Sequence, residues 1–169
     1  KLAGKGMSLA QLPIPVSCEG QSRLETSYAQ QRQWFLWQLE PDSPAYHIPA
    51  ALRLRGALDV EALQRSFNQL VARHQTLRTT FEQDGEQLLQ IVAEQAELVI
   101  EREQWAPIAD PQQREARLAG YIDAQARRLF DLQHSPLMRV TLLSLGEDEH
   151  VLVMVQHHII SDGWSMGVM

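Results

Sequence analysis

The unbroken apolar run Val151 to Val155, which ends on the adjacent pair His157 and His158, constrains this chain more than any other feature. A short continuous apolar run bounded by polar turns predicts a buried strand. A second segment that reads as a strand, Met138 to Leu145, precedes it across the polar turn Gly146-Glu147-Asp148-Glu149. Successive side chains of a strand point to opposite faces, so two adjacent histidines at its end cannot serve one surface while strand geometry persists. One imidazole should face a cleft and the other the core. An unperturbed imidazole titrates at about pH 6.5, which suits it to take and return protons near neutrality. Asp162-Gly163 just beyond marks a sharp bend that can hold such a group in place.

Upstream, helix and strand patterns alternate. Residues 1–23 combine Gly4, Gly6, Pro13, Pro15 and Gly20 with little periodicity and read as a linker ahead of a domain over 24–169. From Ser27, a plausible N-cap, Tyr28, Gln31, Arg32, Phe35 and Leu39 recur at helical spacing, and the aromatic residues of this helix are expected in the core. Tyr46 to Leu54 alternates as a strand. Asp59 caps a second helix with the stripe Val60, Leu63, Phe67, Leu70, Val71 and His74. Leu77 to Phe81 and Gln87 to Val92 read as a hairpin around Asp84-Gly85, and Leu98 to Glu101 as a short strand. Asp110-Pro111 opens a third helix running to about Phe130.

Several chemistries are excluded by what the chain lacks. A net charge of -6 and no cluster of basic residues with interleaved aromatics argue against nucleic acid as a partner. Cys18 is the only cysteine, so neither a disulfide nor a CxxC metal pair is available, and a cytoplasmic setting is the default. No apolar run approaches the roughly 20 residues needed to span a bilayer. Adjacent histidines diverge on a strand, and His47, His74, His134 and His150 show no mutual spacing that suggests a site, so no metal centre is expected. Ser165 lacks the flanking glycines of a hydrolase elbow, and there is no glycine-rich phosphate loop.

Three ordered stretches resemble motifs of the condensation domains of nonribosomal peptide synthetases. Ser27-Tyr28-Ala29-Gln30-Gln31-Arg32-Gln33-Trp34-Phe35-Leu36 is similar to S-x-A-Q-x-R-L-W-x-L, with Gln33 in place of leucine. Arg73-His74-Gln75-Thr76-Leu77-Arg78-Thr79-Thr80-Phe81 is similar to R-H-E-x-L-R-T-x-F. His157 to Ser165 is similar to H-H-x-x-x-D-G-W-S. The resemblance implies one lobe of a two-lobed chloramphenicol-acetyltransferase-like α/β fold, a two-layer sandwich of a mixed sheet with helices on one face. It also implies that the chain is the N-terminal lobe, cut after the histidine motif and lacking the C-terminal lobe.

The implied reaction is amide-bond formation between acyl thioesters held on upstream and downstream carrier domains, each on a phosphopantetheine arm, with no cofactor or metal bound by the domain itself. His158 matches the catalytic position, as general base or as the group that orients the amine and stabilises the tetrahedral intermediate. His157 is expected to hold the backbone through a hydrogen bond. Asp162 is expected either to fix the tautomer of a histidine or, preferably, to pin the turn as a buried ion pair with Arg73 or, second, Arg78. Gly163 is expected to serve backbone conformation or close substrate approach. Rival readings are the lobe of an epimerisation domain and a non-catalytic structural fragment. The isolated chain is expected to be inactive, and to self-associate through the apolar face that a second lobe would cover.

Overall fold

The structure is a computed structural model and describes residues 22–168. In chain order the elements are strand β1 (Arg23–Glu25), helix α1 (Tyr28–Leu39), strand β2 (His47–Arg55), helix α2 (Val60–Arg73), strands β3 (Thr79–Asp84), β4 (Gln87–Val92) and β5 (Glu101–Gln104), helix α3 (Pro111–Arg127), strands β6 (Met138–Ser144) and β7 (Glu149–His157), and the short helix α4 (Gly163–Val168). Most of the linker expected over residues 1–23 lies outside the described residues. Its last residue does not fit that reading, because Arg23 already pairs with Ile91 in β4.

The strands form a mixed four-stranded sheet, β2-β7-β6-β5, and a separate antiparallel sheet, β1-β4-β3. In the larger sheet β7 is central and pairs antiparallel with β2 and β6, while β5 runs parallel to β6. Helix α3 crosses one face of all four strands. Arg53 of β2 bonds to Glu115, Arg114 of α3 to Glu149 of β7, Arg139 of β6 to the carbonyls of Arg128 and Leu129 just past α3, and Tyr121 to Glu103 of β5. On the opposite face Val140, Leu142 and Leu152 are buried in the same cluster as Trp34 of α1 and Phe67 and Val71 of α2. The two closing strands are thus covered on both sides, as the unbroken apolar run of β7 requires.

The helix starts follow the local chemistry. Ser27 and Gln30 close a reciprocal capping box on α1, Asp59 accepts from the N–H of Ala62 at 2.9 Å, and Asp110 with Pro111 opens α3. Asp59→Ala is expected to cost about 1 kcal/mol, because it strips the cap from the helix that delivers Phe67 and Val71 to the core. A urea midpoint that falls with an unchanged m-value checks this.

The face of α1 differs from the periodic reading. Tyr28, Phe35 and Leu39 stand in solvent, whereas Gln33 and Trp34 are buried and Trp37 donates from its indole N–H to the carbonyl of Phe130 at 3.2 Å. Long-range bonds made by Gln30, to Gln90 and Ile159, and by Trp37 override the weak apolar pattern. The strand expected over Leu98 to Glu101 moves to Glu101–Gln104 for a similar reason. The N–H groups of Leu98 and Ile100 are taken by the side chains of Asn68 and Gln64 on α2, at 3.2 and 2.9 Å, so they bond to a helix instead of a strand. Leu77 sits in a 3-10 turn, Gln75–Arg78, and the strand begins two residues later.

Candidate active site

The site grows from the end of β7. The N–H of His157 donates to the carbonyl of Leu137 at 3.0 Å, and the next N–H, of His158, donates to Tyr46 on the other side at 2.8 Å. Strand alternation therefore persists through both histidines, and they divide as that alternation demands. His157 is 3% exposed, whereas His158 is open to solvent. The chain then turns, with the N–H of Ile160 returning to the carbonyl of His157 at 3.1 Å.

His157 is locked. Its Nδ1 accepts from the N–H of Ile159 at 3.1 Å, a bond to backbone that leaves the ring proton on Nε2. Phe130 stands edge-on to it with centroids 6.2 Å apart, and His47, its register partner on β2, lies 5.8 Å away. Burial first, then the charges of His47 and His158, push the His157 imidazole down to about 3. His47 is also held below its ordinary value, chiefly by burial, and its Nδ1 lies 2.7 Å from the carbonyl of Ala126, which places its proton on Nδ1. The spread of histidines along the sequence conceals this pair. Only the β2–β7 register brings His47 to His157, and no local pattern encodes it.

A neutral buried pair of this kind makes stability depend on pH. In the unfolded chain the imidazoles protonate below about 6.5, whereas in the folded chain they resist protonation, so the unfolded state binds more protons in acid. The stabilisation is complete above about pH 6.5 and is lost as the pH falls from there towards the depressed value near 3. His157 alone is expected to contribute a slope approaching about 1.4 kcal/mol per pH unit. Urea unfolding between pH 7 and 5, above the range where carboxylates titrate, measures it, and His157→Gln should flatten the slope.

His158 opens onto a cleft of ≈ 380 Å³ between the start of α1 and the 158–165 segment, lined also by Gln30, Gln33, Thr76, Ser161 and Asp162. A larger cleft of ≈ 470 Å³ lies between α1 and the β3–β4 hairpin, lined mainly by glutamines, glutamates and apolar side chains. No histidine is among the residues that line that second cleft, so size does not decide between them.

The ion pair expected between Asp162 and Arg73 or Arg78 is absent among the described residues. Asp162 is exposed and makes no ion pair among the described residues; its Oδ1 accepts from the N–H and the hydroxyl of Ser165, at 2.8 and 2.7 Å. Those two bonds, the backbone one first, hold its carboxyl below the usual range, with a smaller contribution from the charge of His158. It caps the turn into α4, so no cation is required to offset burial. Arg73, at the exposed end of α2, makes no ion pair among the described residues. Arg78 donates to the carbonyl of Ala93 and fixes the exit of β4. Gly163 adopts no left-handed conformation, and a Cβ built there meets nothing within 4 Å, so neither backbone strain nor crowding within the chain requires glycine. Two residues absent from the site residues expected from the sequence, Gln33 and Ser161, are buried beside the cleft with side-chain oxygens that have no hydrogen-bond partner among the described residues.

Comparison with known proteins agrees with this architecture. A family model described as "Condensation domain" matches residues 21–169. The chain is 43% identical over 171 residues to a linear gramicidin synthase of Brevibacillus parabrevis, covering 99% of this chain and 2% of that protein. It is 43% identical over 148 residues to malpibaldin synthetase of Mortierella alpina, covering 86% of this chain and 3% of that protein. Among solved structures, the starter condensation domain of rhizomide synthetase RzmA superposes with a TM-score of 0.75 at 25% identity, over 85% of this chain and 36% of that one. The four-domain nonribosomal peptide synthetase AB3403, at 21% identity and a TM-score of 0.76, shares the fold over 88% of this chain and 11% of its own. The chain thus spans a few per cent of the curated relatives and about a third of the isolated domain. With the fold, the ordered motifs and the family match in agreement over residues 21–169, this chain belongs to the condensation-domain family of nonribosomal peptide synthetases.

Proposed function

We propose that this chain supplies the histidine-bearing wall of a site that joins two carrier-bound acyl groups through an amide bond. The observation that carries the reading is the division of labour at the end of β7: His157 is sealed and committed to Ile159, while His158 alone presents its imidazole to the cleft. In the reaction, the α-amine of the acceptor attacks the carbonyl of the donor thioester. The C–N bond forms, the C–S bond breaks, and the amine proton ends on the departing thiolate. His158 can take that proton and pass it on, or can hold the amine and the developing charge in place. A free α-amine titrates near pH 8, so a neutral imidazole is a modest base and orientation is a sufficient role.

The phosphopantetheine arms belong to the substrates and arrive on upstream and downstream carrier domains, which are the partners this reading assigns, in the cytoplasm. Asp162 shapes the turn behind His158 through Ser165, and the open space at Gly163 leaves room for an arm to approach. No helix among the described residues is long and apolar enough to cross a membrane. Because the chain covers 36% of the starter condensation domain, the isolated chain is expected to form no product. The reading is tested in a synthetase module that contains this sequence, with both carriers loaded and the product followed by mass spectrometry. A dipeptidyl thioester on the downstream carrier supports it; hydrolysis or epimerisation of the donor without transfer refutes it.

A further inference from the structure

The side chain of Gln30 ties together three parts of the fold that meet at the cleft. Its Oε1 accepts from the N–H of Ser27 at 2.9 Å and so closes the capping box of α1. Its Nε2 donates to Oε1 of Gln90 on β4 at 2.9 Å, and lies 3.4 Å from the carbonyl of Ile159, the residue after His158. Gln90 is itself held, donating to the carbonyl of Glu25 on β1 at 2.9 Å. The amide of Gln30 therefore cannot turn away without breaking the cap or the bond to Gln90. Ile159 is the same residue whose N–H is fixed by Nδ1 of His157. The peptide segment following His158 is thus gripped from below by His157 and from the side by Gln30.

From this geometry we infer that Gln30 is a positioning residue for His158: through Gln90 and the Ile159 carbonyl it sets where the imidazole stands relative to the cleft. The effect on catalysis rests on the amide-forming reading above, but the effect on the His158 ring does not. A displacement of about 1 Å at a reacting group can cost about 100-fold in rate, so a side chain that only grips the neighbouring peptide can matter without touching substrate.

Gln30→Met keeps the length of the side chain and removes every bond. Gln90→Leu leaves the cap of α1 intact and removes the partner that aims the Gln30 amide, together with the bond from Gln90 to the Glu25 carbonyl. In a synthetase module containing this sequence, Gln30→Met is expected to lower kcat by about tenfold or more with KM for the loaded carriers within about twofold. Gln90→Leu should show a smaller loss of the same kind, and the double variant should be no slower than Gln30→Met, since both act through one bond. Side-chain NMR of His158 in the isolated chain gives a readout free of turnover: both variants should shift the ring resonances while melting as folded proteins. Unchanged ring resonances in a folded Gln30→Met would overturn the inference, as would an unchanged kcat in a module that His158→Ala inactivates. If His158→Ala retains its rate, the proposed reaction fails, and the ring resonances alone then decide the role of Gln30. If Gln30→Met does not fold, Gln90→Leu decides by the same two readouts.

Discussion

His158→Ala is expected to lower peptide-bond formation by about 100- to 10,000-fold, the range that removal of a general acid–base group or of a transition-state hydrogen bond spans. The side chain is exposed and makes no hydrogen bond among the described residues, whereas the backbone N–H donates to the carbonyl of Tyr46. Surface truncations of this kind change stability by about 0.5 kcal/mol or less, which for a domain of this size leaves the melting temperature within about 2 °C. Loss of rate without loss of stability is therefore the signature. The size of the loss does not separate a base from an orienting group, but His158→Gln does. Glutamine can hold an amine or a tetrahedral oxygen through hydrogen bonds, yet it cannot take up a proton at neutral pH. A rate for His158→Gln well above that of His158→Ala assigns orientation; equal rates assign proton transfer. Single-turnover quench with product detection measures both.

Phe81→Ala is expected to have the largest effect on folding, at about 3–5 kcal/mol. Phe81 is 1% exposed on β3, and its N–H donates to the carbonyl of Leu132, itself fully buried, at 2.9 Å. It is a point where the smaller sheet is fastened to the segment that leads into β6. Emptying that position leaves a cavity in the core cluster, which the surrounding side chains fill only in part. Set against a typical total stability of about 5–15 kcal/mol, the loss should leave a large unfolded fraction. Phe81→Leu, closer in volume, is expected to cost about 1.5 kcal/mol. Urea titrations of the two variants, followed by tryptophan fluorescence, give the comparison.

Legibility in the sequence follows the strength of the local signal. Caps and turns are readable because each is specified by one or two side chains: Ser27, Asp59 and Asp110-Pro111 start helices, and Gly85, with a φ of 61°, turns the β3–β4 hairpin. Strand β7 is readable from its unbroken apolar run, and the divergence of His157 and His158 from the two-residue period of a strand. Helix α1 is not, because its inward face is set by the long-range bonds of Gln30 and Trp37, while its apolar residues Tyr28, Phe35 and Leu39 point outward. An arginine partner for Asp162 presupposes a buried carboxylate. It is exposed, and Ser165, three residues away, satisfies it without Arg73 or Arg78. The His47–His157 pair and the grip of Gln30 on Ile159 join residues 110 and 129 positions apart, which no local pattern records.

The central claim is that two neighbouring histidines have separate tasks, one in the chemistry and one in the fold. It is tested most directly by measuring product formed per folded molecule and urea stability together for His157→Gln and His158→Ala in the same synthetase module. The expected result is a double dissociation: His158→Ala keeps its stability and loses the rate, while His157→Gln loses stability and retains most of the rate in the molecules that remain folded. A folded His158→Ala that makes product at the original rate would contradict the account.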